Sequence, residues 1–188
     1  MGAWAGEDDG DGLPAWATES VHLVDPDPAW PGVAAEFAGE IAGLFAGWLT
    51  SDVLHVGSTS VPGLPAKPII DLQAVSPDPS AALAAVGEAA AASRWMFVPR
   101  ELDQRAWRWL FVRISSDRVS RLAHLHLMPP DQRRWWDQLL FRDRLRRSRH
   151  LRDEYVQVKQ RAAAEHPTDR EAYGRAKEEF VLRVVATG

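Results

Sequence analysis

The chain has 188 residues, 46% of them hydrophobic, with a formal net charge of −4 and no cysteine. That length suits one domain with a substantial core, and the missing cysteines exclude disulfides and thiolate metal sites. No run of eighteen apolar residues and no basic-then-apolar leader occurs, so no membrane span and no signal peptide are expected, and the expected compartment is the cytoplasm. The charge is uneven: no Lys or Arg precedes Lys67, whereas arginines are dense from Arg94 to Arg152.

In chain order, residues 1–19 contain the acidic, glycine-rich run GEDDGDG and are expected to form a flexible tail, with docking of Trp4 or Trp16 as the alternative. Residues 20–188 form the domain. Val21 to Val24 reads as a short edge strand, Asp25-Pro-Asp-Pro as a turn, and Trp30-Pro31 as the start of a helix. From Val33 to Leu49 the stripe Phe37, Ile41, Leu44, Phe45 and Trp48 predicts an amphipathic helix. Glu36 and Glu40, one turn apart in it, read as a solvated face rather than as ligands. Val53–Val56 and Pro68–Val75 then read as two strands framing a Gly/Ser/Pro loop. Strand alternation sends Asp71 and Gln73 to one face and Ile70 and Leu72 to the other.

Pro77 to Pro79 is a turn, and Ser80 is the expected cap of an alanine-rich helix running to Ala92. Trp95–Val98 is a short strand, Arg100–Arg105 a polar connection, and Trp107–Ile114 a strand with Trp109, Phe111 and Arg113 on one face. After a turn at Ser115–Arg118, Arg121–Met128 is a strand that places His124 and His126 together, opposite Leu125 and Leu127. Asp131 is the expected cap of a helix with Trp135, Trp136, Leu139, Leu140 and Leu145 on its apolar side. A break near Ser148–His150 starts another helix, and Thr168, with Glu171 three residues on, should cap the last one. The last stripe is Tyr173, Ala176, Phe180 and Val184. The arginines of Arg142–Arg152 are interrupted by Asp143, Asp153 and Glu154, which favours a solvated helix surface over nucleic-acid binding.

Chemistry concentrates between the first two strands. Ser58, Thr59 and Ser60 offer hydroxyls, Gly57 leaves backbone N–H groups approachable, and Lys67 adds a cation, so the loop can hold phosphate oxygens with a metal ion opposite at Asp71. Neither the P-loop spacing nor G-x-G-x-x-G occurs. The His124-x-His126 pair can direct two imidazoles at one metal or one phosphate. Among the arginines at Arg105, Arg108, Arg113 and Arg121, one or two are positioned to line such a pocket.

The stretch HVGSTSVPGLPAKPIIDL, His55 to Leu72, resembles the signature block of the GrpB family, small bacterial proteins of the nucleotidyltransferase superfamily. LVDPDPAW at Leu23–Trp30, HLHLMPP at His124–Pro130 and the run from Phe141 to Phe180 extend the resemblance. It implies an α/β (α+β) domain: a small mixed β-sheet flanked by helices, with a helical C-terminal tail. It also implies that Gly57 and Ser58 correspond to the superfamily's phosphate-contacting Gly-Ser pair, supported by Thr59, Ser60 and Lys67, and that Asp71 is the first metal carboxylate. The second carboxylate position holds Gln73, and the His124-x-His126 strand stands where a third would be. The implied metal set is thus Asp71, Gln73, His124 and His126, with Asp71, His124 and His126 as catalytic candidates. The implied cofactors are a divalent metal, magnesium or manganese or, given histidine donors, zinc, with a nucleoside triphosphate as ligand. Three readings follow: nucleotidyl transfer to an unknown acceptor, a non-catalytic nucleotide- or phosphometabolite-binding regulatory module, and a single-metal His/Asp hydrolase. Relatives fused to dephospho-CoA kinase add a helper role to the second.

Overall fold

Short runs rich in apolar residues build five strands, and side-chain alternation along them gives the sheet two distinct faces. β1 (Leu54–Val56), β2 (Ile70–Val75), β3 (Trp95–Val98), β4 (Trp109–Ile114) and β5 (Arg121–Met128) form one sheet in the order β1-β2-β5-β4-β3. Only β2 and β5 pair in parallel; the other neighbours are antiparallel. This computed structural model describes residues 16, 20 and 22–186. The expected tail over residues 1–19, apart from Trp16, lies outside the described residues, as does Val21. Of the expected edge strand, Val24 makes a single antiparallel bridge to Ala66.

One face of the sheet packs on α1 (Trp30–Leu44) and α2 (Pro79–Ala92), and a single turn, α3 (Arg100–Asp103), lies in the connection between β3 and β4. Trp30, Ala34, Phe37 and Ile41 meet Ile70, Leu72 and Ala74 of β2, Phe111 of β4, and Ala123, Leu125 and Leu127 of β5. Helix α1 ends at Leu44 rather than Leu49, because the chain turns through Gly47 at φ 79°. Phe45 is nevertheless wholly buried and meets Phe111 edge-on. The cap of α2 is Asp78, not Ser80: its carboxylate accepts from the Ser80 and Ala81 amides. Glu40 is not solvated as expected. It accepts from the Trp95 indole at 2.9 Å and from Arg113 at 3.1 and 3.2 Å, tying α1 to β3 and β4.

The opposite face carries the polar residues of β2 and β5. It is covered at one side by Trp16, which is buried against Val98, Leu110, Val112 and Ile114, and whose carbonyl accepts from Arg121 at 2.6 Å. The other side lies under the helical tail, α4 (Arg133–Arg147), α5 (Arg149–Glu165), α6 (Arg170–Arg175) and α7 (Glu178–Ala186). Phe141, Leu145, Tyr155, Phe180 and Val184 form its own core, into which Val61 and Leu64 of the loop after β1 insert. Two expected caps in the tail shift. Asp131 takes a left-handed conformation (φ 63°) outside α4, which has no side-chain cap, and Asp169 rather than Thr168 caps α6 through the Ala172 amide. Ala176, expected on the last apolar stripe, is exposed where α6 and α7 separate. No helix among the described residues is long and apolar enough to cross a membrane.

Arg113 is almost fully buried, and its Nη1 already lacks a partner. Glu40→Ala leaves that guanidinium without its counter-charge and the Trp95 indole without its acceptor, so it should cost about 1–3 kcal/mol, with Glu40→Gln losing less. Urea unfolding checks this. A loss below about 0.5 kcal/mol would mean that the pair behaves as a solvated surface bridge.

Candidate functional site

The parallel pairing of β2 with β5 puts Asp71 opposite His124 and Gln73 opposite His126. All four side chains leave the sheet on the face away from α1 and α2. Asp71 Oδ1 lies 3.0 Å from His124 Nδ1 and 3.5 Å from His126 Nε2. One donor atom from each of these three residues falls within 4.8 Å of the others, close enough to share an ion.

Gln73 does not join them. It is wholly buried one strand step further along, where the start of α4 covers it and its Nε2 donates to the Trp135 carbonyl at 3.3 Å. Its Oε1 is buried without a partner. The expected second metal-ligand position is thus turned into the seam between sheet and tail, leaving a single carboxylate.

Protonation follows from burial and partners. Desolvation pushes the imidazoles of His124, to about 3, and of His126 downward, so both are neutral near pH 7. Burial alone would raise Asp71, but hydrogen bonds from both histidines outweigh it and hold the carboxyl ionised, well below its usual range. Arg108 Nη1 lies 2.5 Å from His126 Nδ1 and can only donate, so the proton of neutral His126 sits on Nε2, towards Asp71. Arg108 is in turn gripped by the buried Asp103 at 2.5 and 2.9 Å. His124 gives its Nδ1 proton to Asp71 and keeps an Nε2 lone pair that is buried and unpartnered. Asp71 therefore fits a metal ion as it stands, whereas His124 joins it only by moving its proton from Nδ1, which faces Asp71, to Nε2. His126 fits only if Arg108 releases Nδ1, since an Nε2 that carries a proton cannot ligate.

The turn after β1 is shaped by one close approach. Gly57 has φ 69°, and a Cβ there would sit 2.4 Å from Asp71 Oδ2 and 2.9 Å from Asp71 Cβ. Only glycine lets the first strand end against that carboxylate. Ser58–Ser60 then form a single 3₁₀ turn. Its hydroxyls are not equivalent: Ser60 Oγ donates to the Gly57 carbonyl at 2.6 Å, and Thr59 bonds His55 Nε2 at 2.9 Å and the Ile69 carbonyl at 3.4 Å. Those two hydroxyls hold the turn. Gly57, Ser58, Thr59, Lys67, Asp71, His124 and His126 all line one cavity of about 600 Å³, whereas Ser60 and Gln73 do not.

Several residues of that cavity are absent from the sequence reading. Lys159 of α5 and Lys177, between α6 and α7, line it, as do Trp107 and Arg134; Arg105, Arg108 and Arg121 line it too, while Arg113 lies on the other face with Glu40. The Trp107 ring stacks on His126 with centroids 5.7 Å apart. Burial pushes Lys159 down to about 7, and burial together with the charges of Lys67 and Lys159 pushes Lys177 to about 7. A sequence signal existed for Lys159: at positions 155, 159 and 162 it shares the buried stripe of α5 with Tyr155 and Ala162. The arginines of α4, expected as a solvated surface, instead brace the site. Arg142 donates to the His55 carbonyl at 3.1 Å, and Arg146 donates twice to the Ser60 carbonyl at 2.7 and 2.9 Å.

A mixed five-stranded sheet flanked by helices, with a Gly-Ser turn closing its first strand and a carboxylate facing that turn from the second, defines an α+β protein. Within that class the chain belongs to the GrpB family: the family model described as GrpB protein matches residues 20–187. A UPF0157 protein of Pseudomonas aeruginosa is 35% identical over 173 residues, covering 89% of this chain and 67% of that one. Another from Halalkalibacterium halodurans is 31% identical over 166 residues, covering 88% and 81%. The crystal structure of the conserved protein GrpB from Enterococcus faecalis superposes with a TM-score of 0.73 over 87% of this chain and 94% of that one; at 24% identity it shows the shared fold.

Two outcomes follow. Gly57→Ala should destabilise by about 1–3 kcal/mol through backbone strain and the clash with Asp71, and Asp71→Gly should recover part of that loss in the double variant. Strict additivity in thermal or urea unfolding would mean the two residues do not press on each other. In the metal-free protein, His55 (about 4), His124 (about 3) and His126 are all depressed from 6.5, with burial the largest cause in each. The unfolded chain therefore binds more protons than the folded one below pH 6.5, and Asp71, also depressed, acts in the same direction at lower pH. Stability should fall as pH drops from about 6.5 towards 4, by about 1.4 kcal/mol per pH unit for each proton taken up. His55→Gln should remove one proton's share of the slope, and a flat profile over that range would overturn the assignment.

Proposed function

We propose that this chain binds a nucleotide or another phosphorylated small molecule, together with one divalent ion, in the cavity between the sheet and the helical tail. The observation that carries the reading is the joining, in one cavity, of an ionised carboxylate with an excess of cations. Asp71 and Asp103 face Lys67, Arg105, Arg108, Arg121, Arg134, Lys159 and Lys177. Such a lining attracts an anion, and the volume suits a nucleotide.

Asp71 would hold the ion, joined by His124 once its Nδ1 gives up the proton, and the bound ion would neutralise phosphate charge and let phosphate approach the carboxylate. Gly57 and Ser58 present backbone amides and a hydroxyl beside it. Arg108 keeps His126 as a donor to Asp71 and so fixes the direction of the carboxylate. Nucleotidyl transfer by the usual pair of ions needs more carboxylates than Asp71 alone, and Gln73 is committed to the Trp135 carbonyl. The reading supported best is therefore one-ion binding of a nucleotide or phosphometabolite, as in a regulatory module. Transfer to an acceptor is the second reading, favoured by the Gly57-Ser58 turn lying against Asp71.

Thermal unfolding with each nucleoside triphosphate and magnesium, manganese or zinc tests this on the wild type and on Asp71→Asn. At ten times its dissociation constant a ligand stabilises by about 1.4 kcal/mol, a rise of about 3–6 °C at this size. A metal-dependent rise that Asp71→Asn abolishes is the expected result. No rise with any pair would overturn the reading, and release of labelled product in the same mixtures would shift it from binding to transfer or hydrolysis.

A further inference from the structure

The geometry points to a second anion subsite in this cavity, in which Lys67 and Lys177, over the Tyr173 ring, and Lys159, over the Tyr155 ring, take the terminal phosphates of a di- or triphosphate. It deepens the reading of the cavity as phosphate-binding and rests on it. The three lysines come from three separate parts of the chain: the loop before β2, helix α5, and the link between α6 and α7. Lys67 Nζ lies 5.1 Å and Lys177 Nζ 3.9 Å from the centre of the Tyr173 ring, and Lys159 Nζ lies 4.9 Å from that of Tyr155. All three lysines and Tyr173 line the cavity.

Lysines are almost never buried unless paired, because stripping water from an ammonium group is costly. Lys159 is 1% exposed, and its ammonium donates to the Pro65 carbonyl. That bond accounts for one of its three protons. Lys177 makes no hydrogen bond or ion pair to a described residue, and no carboxylate lies within ion-pair reach of Lys159 or Lys177 among the described residues. Burial is unfavourable for both ammonium groups and lowers Lys159 and Lys177, and the charges of Lys67 and Lys159 lower Lys177 further. A polyanion placed between the lysines relieves the repulsion on Lys177 and offers acceptors to the Lys159 and Lys177 ammonium groups.

The charge count selects the ligand. A single carboxylate would leave most of the positive charge uncompensated, whereas consecutive phosphates carry several negative charges and peripheral oxygens enough for converging donors. The lysine end needs no metal. The Asp71 end does, because a bare carboxylate repels phosphate. A di- or triphosphate can thus be held at one end by the ion and at the other by the tail, which makes the C-terminal helices part of the binding site rather than a cover over it.

Isothermal titration of the full chain with inorganic tripolyphosphate and pyrophosphate, in excess EDTA and at near-physiological salt, tests the subsite. Binding at one site per chain is expected for the wild type and for Asp71→Asn. Lys177→Gln should weaken it about ten- to a hundredfold, and Lys177→Arg should weaken it far less. Thermal unfolding of the ligand-free variants verifies that they fold. Lys159→Met, which keeps the packing, serves as the second variant and should lose affinity in the same way. No binding by the wild type in EDTA, or equal binding by Lys177→Gln and the wild type, overturns the subsite. If nucleotide with metal still stabilises Lys177→Gln as it does the wild type, the lysine subsite fails while the phosphate-binding reading stands. If tripolyphosphate binds through the lysines but no nucleotide–metal pair responds to Asp71→Asn, the subsite stands and the ion at Asp71 fails.

Discussion

The register between β2 and β5 is the constraint on which the site depends. Leu72 and Ala74 of β2 and Leu125 and Leu127 of β5 are wholly buried against α1 and α2, and they alternate with Asp71, Gln73, His124 and His126. A slip of one residue would drive the histidines into the apolar core and bring the leucines into the cavity. A slip of two would preserve the faces but carry Asp71 roughly 7 Å along the strand, away from both imidazoles. The hydrophobic effect, acting on one side of the sheet, thereby sets distances near 3 Å on the other. No polar interaction within the site has to specify them.

Around that fixed pair the remaining parts are braced by backbone carbonyls. The tail restrains the turn closing β1: Arg142, Arg146 and Lys159 donate to the carbonyls of His55, Ser60 and Pro65. Val61 and Leu64 of the same loop enter the tail's core. The loop that carries Gly57 and Lys67 is therefore held from both ends by helices that follow it by some eighty residues or more. Its shape belongs to the assembled domain more than to its own sequence.

This division explains what the sequence could disclose. Strand alternation depends on each residue's neighbours two positions away, so the faces of Asp71, His124 and His126 were legible, as were the five strands and the α1 stripe. Caps were legible only approximately. Asp78 and Ser80, like Asp169 and Thr168, offer similar oxygen acceptors within two residues of each other, and backbone dihedrals decide between them. Partnerships between distant residues left no local trace. Glu40 and Arg113 are 73 positions apart, and Arg146 and Ser60 are 86 apart. Gln73 shows the limit most directly: its face was correctly read, yet only the placement of α4 over it determines that it meets the Trp135 carbonyl and not an ion.

Electrostatics gives that placement its consequence. The chain as a whole carries a charge of −4, yet among the described residues the cavity lining has seven basic side chains against two carboxylates. Asp103 is spent on Arg108, and Arg108 in turn fixes the tautomer of His126, so Asp71 is the one carboxylate left to meet an ion. A site of this polarity does not resemble one that gathers two cations, since each further ion would face a wall already positive. It suits a ligand that brings the negative charge itself. Gln73, neutral and buried under α4, offers no second ion-binding position and adds no negative charge to set against the basic lining. The proposed ligand matches that polarity, because its own phosphates would complete the charge balance.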